Sequence, residues 1–114
     1  MPQPLEFRRD VVKDAVVLRP EGEIDLARSP ELRLRLKQEV DAKPKRLVID
    51  LTKVTYMDSS GIATLVEALT RARAAGVSLL LAGLQPRVRS IFSISRLDTV
   101  FTIVATADEA AQAT

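Results

Sequence analysis

The chain has 114 residues, a formal net charge of +2, and a composition that is 46% hydrophobic but only 4% aromatic. That length suits one domain with an aliphatic core, because a domain of this size buries roughly two-thirds of its unfolded surface. Cysteine and histidine are both absent, which excludes disulfides, thiolate and imidazole metal sites, and every triad or dyad that needs an imidazole base.

Residues 1–4 form a short Pro-containing extension, and the domain is expected over 5–110. Leu5 to Val12 alternates loosely and Ala15 to Pro20 reads as a second strand. Lys13-Asp14 turns between them, although this pair lacks the usual hairpin glycine. Gly22-Glu23-Ile24-Asp25 reads as a loop bearing two carboxylates. A helix then starts with Ser29 as N-cap, Pro30 in the first turn and Glu31 near the positive dipole end. Leu32, Leu36 and Val40 share one stripe, and the helix should stop before Pro44.

Leu47-Val48-Ile49-Asp50-Leu51 is a nearly continuous apolar run, as expected of a strand covered on both faces. The next helix begins near Ser59–Gly61, buries Ile62, Leu65, Val66 and Leu69, and ends at Gly76 in a left-handed cap. Val77 to Ala82 is another buried strand. A third helix follows Pro86, with Val88, Ile91 and Phe92 on one side. A last strand, Val100 to Val104, precedes an Ala-rich helix over 107–113 that covers the sheet, with Thr106 and Glu109 at capping-box spacing. This order predicts an α/β sandwich: an N-terminal hairpin and then βαβαβ, giving a mixed sheet flanked by about four helices.

Arg71, Arg73, Arg87, Arg89 and Arg96 make the C-terminal half basic. Solvated helix faces account for them better than nucleic-acid binding does. No signal peptide is read, and no apolar run reaches the roughly 18 residues of a membrane span. A cytoplasmic protein without membrane insertion is therefore expected.

Functional groups of open α/β sheets gather where strands end and helices begin. Tyr56-Met57-Asp58-Ser59-Ser60-Gly61-Ile62 stands at such a place. Capping alone explains one of these residues but does not require Asp-Ser-Ser together. Catalytic readings find little support. The G-x-S-x-G elbow is absent, with Asp58 in place of its first glycine. A Ser-Lys dyad would need a lysine such as Lys53 folded back, and the phosphate-cradling G-x-x-x-x-G-K-[ST] loop is missing. Asp25, Asp50 and Asp58 are candidates for gathering around Mg²⁺, yet acids occur at strand ends without metals. No enzyme activity, cofactor or metal is expected.

Leu47 to Leu51 followed by Met57-Asp58-Ser59-Ser60-Gly61-Ile62 resembles the signature of STAS domains, and of anti-sigma factor antagonists in particular. The resemblance extends to Gly22-Glu23-Ile24-Asp25, Gly76-Val77, Val88-Arg89-Ser90-Ile91-Phe92 and Leu97-Asp98, so it covers about residues 5–110. It implies a mixed sheet flanked by helices, with Ser60 phosphorylated by a partner that is both anti-sigma factor and serine kinase. A serine phosphatase reverses that step. Asp58, Ser59 and Gly61 form the setting of the phosphorylated serine; Asp25, and less firmly Glu23, match positions facing the partner. Ser59 is read as a cap. A phosphoserine adds about −1.5 to −2 charges. The helix dipole should tolerate that charge within the domain, whereas a closely packed partner facing Asp58, Asp25 and Glu23 should not. After Gly61 the chain has Ile62-Ala63-Thr64, where many antagonists place a small or apolar residue. Related STAS domains serve as accessory subunits of lipid-transporting ABC systems or in stress-signalling complexes, and these alternatives stay open, as does a homodimer. Val88, Ile91, Phe92 and Ile94 give the third helix more apolar surface than one core face needs; packing is the favoured reason, docking of a partner the other.

Overall fold

The computed structural model describes residues 3–112. Strands β1 (Glu6–Val12) and β2 (Ala15–Ile24) form the expected hairpin. Its two-residue turn forces Lys13 to φ 58°, a conformation that glycine or asparagine would adopt more readily. Helix α1 (Ser29–Asp41) leads to β3 (Arg46–Asp50) and then to β4 (Val54–Met57), a short strand that the sequence did not announce. Helix α2 (Ser59–Ala75), β5 (Ser78–Ala82), α3 (Pro86–Ile94), a 3₁₀ turn at Leu97–Thr99, β6 (Thr102–Val104) and α4 (Ala107–Gln112) complete the order. The expected strand 100–104 is thus shortened at its start by the 3₁₀ turn. Residue 113 of the expected last helix lies outside the described residues.

The sheet runs β1-β2-β3-β5-β6. β1 is antiparallel to β2, while β2, β3, β5 and β6 are parallel neighbours. The mixed sheet and its βαβ crossovers are therefore as the sequence indicates. One difference matters for function: Gly22-Glu23-Ile24 is not a loop but the continuation of β2. Ala15 to Leu18 pair with β3; from Gly22 on the strand pairs with β4 instead, with a register shift between Gly22 and Glu23. Gly22 sits at φ 124°, open to glycine but strained for other residues, and it allows β2 to change partners.

Alternation along the strands creates two layers. Val16 and Leu18, Leu47 and Ile49, and Leu79 and Leu81 face α1, α2 and α3 in the larger core. Ala15, Val17, Val48, Leu80 and Ala82 face Ala107, Ala110 and Ala111 of α4. Small alanines allow this last helix to lie close on the sheet, and Thr106 Oγ1 accepts from the Glu109 amide at 3.1 Å, half of the expected capping box. Leu32, Leu36 and Val40 of α1 and Leu65 and Leu69 of α2 are buried as expected; Ile62 and Val66 are only partly covered. Each fully buried Leu or Val contributes about 1.5–3 kcal/mol, so these stripes fix both helices on the sheet. Gly76 caps α2 at φ 74°, its amide donating to Ala72 and Arg73 carbonyls.

Candidate functional site

The site forms where the ends of β2 and β4 lie side by side and α2 begins. Ile24 pairs with Met57, and the Asp58 amide donates to the Ile24 carbonyl at 3.2 Å. Gly61 then presses the first turn of α2 onto both strands. A Cβ there would lie 2.6 Å from Met57 Cγ and 2.8 Å from Ile24 Cγ2. Only the absence of a side chain permits this seating, and it fixes where Ser60 emerges.

Asp58 is the N-cap of α2. Its Oδ1 accepts from the Ser60 amide at 2.9 Å, the Gly61 amide at 3.4 Å and Ser60 Oγ at 2.5 Å. The hydroxyl bond of Ser60 does most to hold the Asp58 carboxyl below its ordinary pKa. Burial opposes the shift, and the amides of Ser60, Gly61 and Leu26 assist it. Ser60 is half-buried, and its carbonyl accepts from Thr64 Oγ1 at 2.8 Å one turn on. Ser59 is exposed and is the first helical residue; the cap is Asp58, not Ser59, because a carboxylate one residue earlier reaches the N-terminal amides. The dipole end of α2 is consequently already occupied by an anion. A phosphate on Ser60 would replace the donated proton with a second negative group beside the first, so the dipole end offers it less compensation than the bare helix start in the sequence suggests.

Asp25 follows β2 directly. Its Oδ1 accepts from the Arg28 amide at 3.0 Å and its Oδ2 pairs with Arg28 Nη1 at 2.6 Å. Its carbonyl accepts from the Arg28 and Ser29 amides. Ser29 is therefore not the N-cap of α1. That place belongs to Arg28, without a side-chain cap bond; the first helical amides, of Glu31 and Leu32, donate to the Arg28 carbonyl instead. Arg28 also donates to the Gln3 carbonyl. Glu23 lies opposite Tyr56 in the β2–β4 ladder, exposed and without an ion pair among the described residues.

The structure thus joins Asp58, Ser60 and Gly61 in one hydrogen-bonded turn, sets Asp25 on the adjoining loop by way of Leu26, and leaves Ser59 and Glu23 on the surface. Two neighbours went unmarked in the sequence, Arg28, the cation that partly neutralises Asp25, and Leu26, 76% exposed; Tyr56, at the head of the turn segment, is 41% exposed rather than packed away. The i,i+3 spacing of Asp25 and Arg28 was the available signal for the first. The metal reading gains no support. Asp50 is held by Arg19 Nε at 3.1 Å and the Thr52 amide at 3.0 Å, and among the described residues no three acids are gathered to hold an ion.

With this turn at its centre, a mixed sheet carrying three helices on one face and one on the other defines a known class. The chain belongs to the STAS domain family, whose model matches residues 6–110. An anti-sigma-B factor antagonist of Listeria monocytogenes is 35% identical over 82 residues, 72% of each chain. The solved anti-sigma factor antagonist from Mycobacterium paratuberculosis superimposes with a TM-score of 0.86 at 24% identity, covering 93% of this chain and 90% of that one. SpoIIAA, an anti-sigma factor antagonist, superimposes in its unphosphorylated form with a TM-score of 0.76 at 24% identity, over 92% of both chains. The phosphorylated form of this Bacillus cell fate determinant gives 0.70 at 23% identity, over 92% of this chain and 96% of that one.

Proposed function

We propose that this domain is an anti-sigma factor antagonist that works by partner switching in the cytoplasm, as a binding module and not as an enzyme. Unmodified, it binds an anti-sigma factor with serine kinase activity through the Asp58–Gly61 turn, Asp25 and Glu23. Phosphorylation of Ser60 releases it, and a serine phosphatase restores it. The observation that carries this reading is the Ser60 hydroxyl, half-buried at the mouth of α2 and donating to Asp58 Oδ1 at 2.5 Å. It is held in one orientation and is the only group of the turn whose modification changes both local charge and local hydrogen bonding.

The similarity to named antagonists supports the general role. The physics supports the direction of the switch. Phosphate would add about −1.5 to −2 charges to a surface that already holds Asp58, Asp25 and Glu23, with Arg28 committed to Asp25. A partner packed against that surface would have to desolvate these like charges together, a cost of several kcal/mol. No refolding is required, because the helix stripes that hold α2 lie on its other side. The test is a titration of the anti-sigma factor into Ser60→Asp and Ser60→Glu variants. Binding should fall by about 10-fold or more in both, with Ser60→Ala close to wild type. Undiminished binding of folded acidic variants would overturn the proposal.

A further inference from the structure

We infer that the outward face of α3 is a second docking surface, one that takes an acidic, aliphatic-bearing segment of a partner protein. Charge in this chain is segregated. Every ion pair among the described residues joins partners between Arg8 and Glu67. From Ala68 to Ala107 the chain carries five arginines and one acid, Asp98. Arg71 is compensated in part, since it lies close enough to Asp41 and Glu67 to act on both carboxyls. Arg73, Arg87, Arg89 and Arg96 have no carboxylate partner among the described residues. Arg73 donates to the Val100 carbonyl at 3.2 Å, which ties the end of α2 to the 3₁₀ turn after α3.

The same region shows apolar surface where the core does not need it. The sequence suggested a surplus on α3, and the structure divides it. Val88 and Phe92 are wholly buried, Phe92 edge-on to Phe101 with ring centroids 5.5 Å apart. Ile94 is left 85% exposed and Val100 42% exposed. Pro86, Arg89, Ser90, Ser93 and Ile94 line a shallow groove of about 370 Å³ along the solvent side of the helix. The aliphatic Ile94 in such a groove, with Arg89 on its wall and Arg87 exposed on the same helix, is complementary to a segment bearing a Leu or Ile flanked by Asp or Glu. Helix α3 rests on β4, the strand that runs into the Asp58 turn. No residue lining the groove belongs to the Asp58–Gly61 turn, so charge added at Ser60 should leave the α3 contact intact.

The test uses the full chain, ¹⁵N-labelled, and a short fluorescent peptide of Glu and Leu residues as the probe. The peptide should shift the amides of residues 87–100 and lose most of its binding at about 0.5 M salt, where surface charges are screened within a few ångströms. Reversing Arg87→Glu with Arg89→Glu should weaken it by about 10-fold, and Ile94→Ser should weaken it at low and high salt alike. All three positions are exposed, and an unchanged amide spectrum elsewhere shows that the variants remain folded. Ser60→Asp should bind the peptide as wild type does, which separates this surface from the switch: loss of the switch would leave the result standing. The inference is overturned if no amide on α3 moves, or if a Lys/Leu peptide binds equally well. It is also overturned if phosphatidylglycerol vesicles or single-stranded RNA engage this face while the acidic peptide does not.

Discussion

Removing the Asp58 carboxylate tests the hydrogen-bonded turn from which the functional reading is built. Asp58→Ala takes away one acceptor that serves two amides and the Ser60 hydroxyl. Loss of an acidic N-cap costs about 0.5–2 kcal/mol. The three donors and the favourable dipole position place this case in the upper half of that range, at about 1–2 kcal/mol. With an unfolding entropy of about 2.1 cal/mol/K per residue, the melting temperature should fall by about 4–8 °C. Asp58→Asn keeps an oxygen at the cap and should lose about half as much. The sign of the pH dependence follows from the lowered folded pKa of Asp58. Its contribution is complete above the unfolded value of about 3.9 and is lost as pH falls through the lower folded value. Thermal unfolding followed by circular dichroism should show a constant gap between wild type and Asp58→Ala from about pH 5 to 8, narrowing below about pH 4. Amide exchange at Ser60 and Gly61 should quicken in the variant. A gap under about 1 °C at neutral pH, or one that widens on acidification, would refute the reasoning.

The remaining predictions concern seating and charge. Gly61→Ala places a Cβ against Met57 and Ile24; overpacking costs about 1–3 kcal/mol, offset by up to about 1 kcal/mol of helix propensity, so the urea midpoint should drop while the slope stays unchanged. Arg28→Ala frees the Asp25 carboxylate from its ion pair and removes the bond to the Gln3 carbonyl; with this side chain mostly covered, it should cost about 1–3 kcal/mol. It should also weaken the anti-sigma factor complex, with a steeper dependence on salt when the complex is titrated at two ionic strengths. Gly83→Ala should be destabilising by at least as much as Gly61→Ala. Its φ is +68° and its Cβ would collide with Thr52 and Asp50, so chemical denaturation of the pair ranks them directly.

Periodicity carried most of the architecture. The stripes of Leu32, Leu36 and Val40 and of Leu65 and Leu69 announced two helices, Gly76 announced the end of the second, and the nearly continuous apolar run at Leu47–Leu51 announced a strand covered on both faces. The parts that escaped notice depend on contacts remote in sequence. Val54–Met57 is four residues long, with only its two ends buried, too short for any period to show. Its partner, Glu23–Ile24, reads as loop because Pro20 and Gly22 interrupt the alternation, and it becomes strand only because Gly22 redirects β2 toward β4. The caps illustrate the same limit on a smaller scale. Ser29 and Ser59 both have the composition of an N-cap, yet the Glu31 and Leu32 amides go to the Arg28 carbonyl, and the Asp58 carboxylate takes the amides of Ser60 and Gly61. Within the candidate site, the Asp-Ser-Ser-Gly segment was legible as a group. Its internal order, with Asp58 as acceptor, Ser60 as donor and Gly61 as the close contact, required coordinates.

The most direct test of the central claim is to incubate the purified domain with the anti-sigma factor kinase and ATP, then locate the phosphate by mass spectrometry. The same samples, phosphorylated and not, are titrated with the kinase. A single phosphate on Ser60, none on a Ser60→Ala variant, and loss of binding in proportion to the phosphorylated fraction are expected. A phosphate on Ser59 or elsewhere, no phosphate at all, or a phosphorylated domain that still binds with full affinity would contradict the claim.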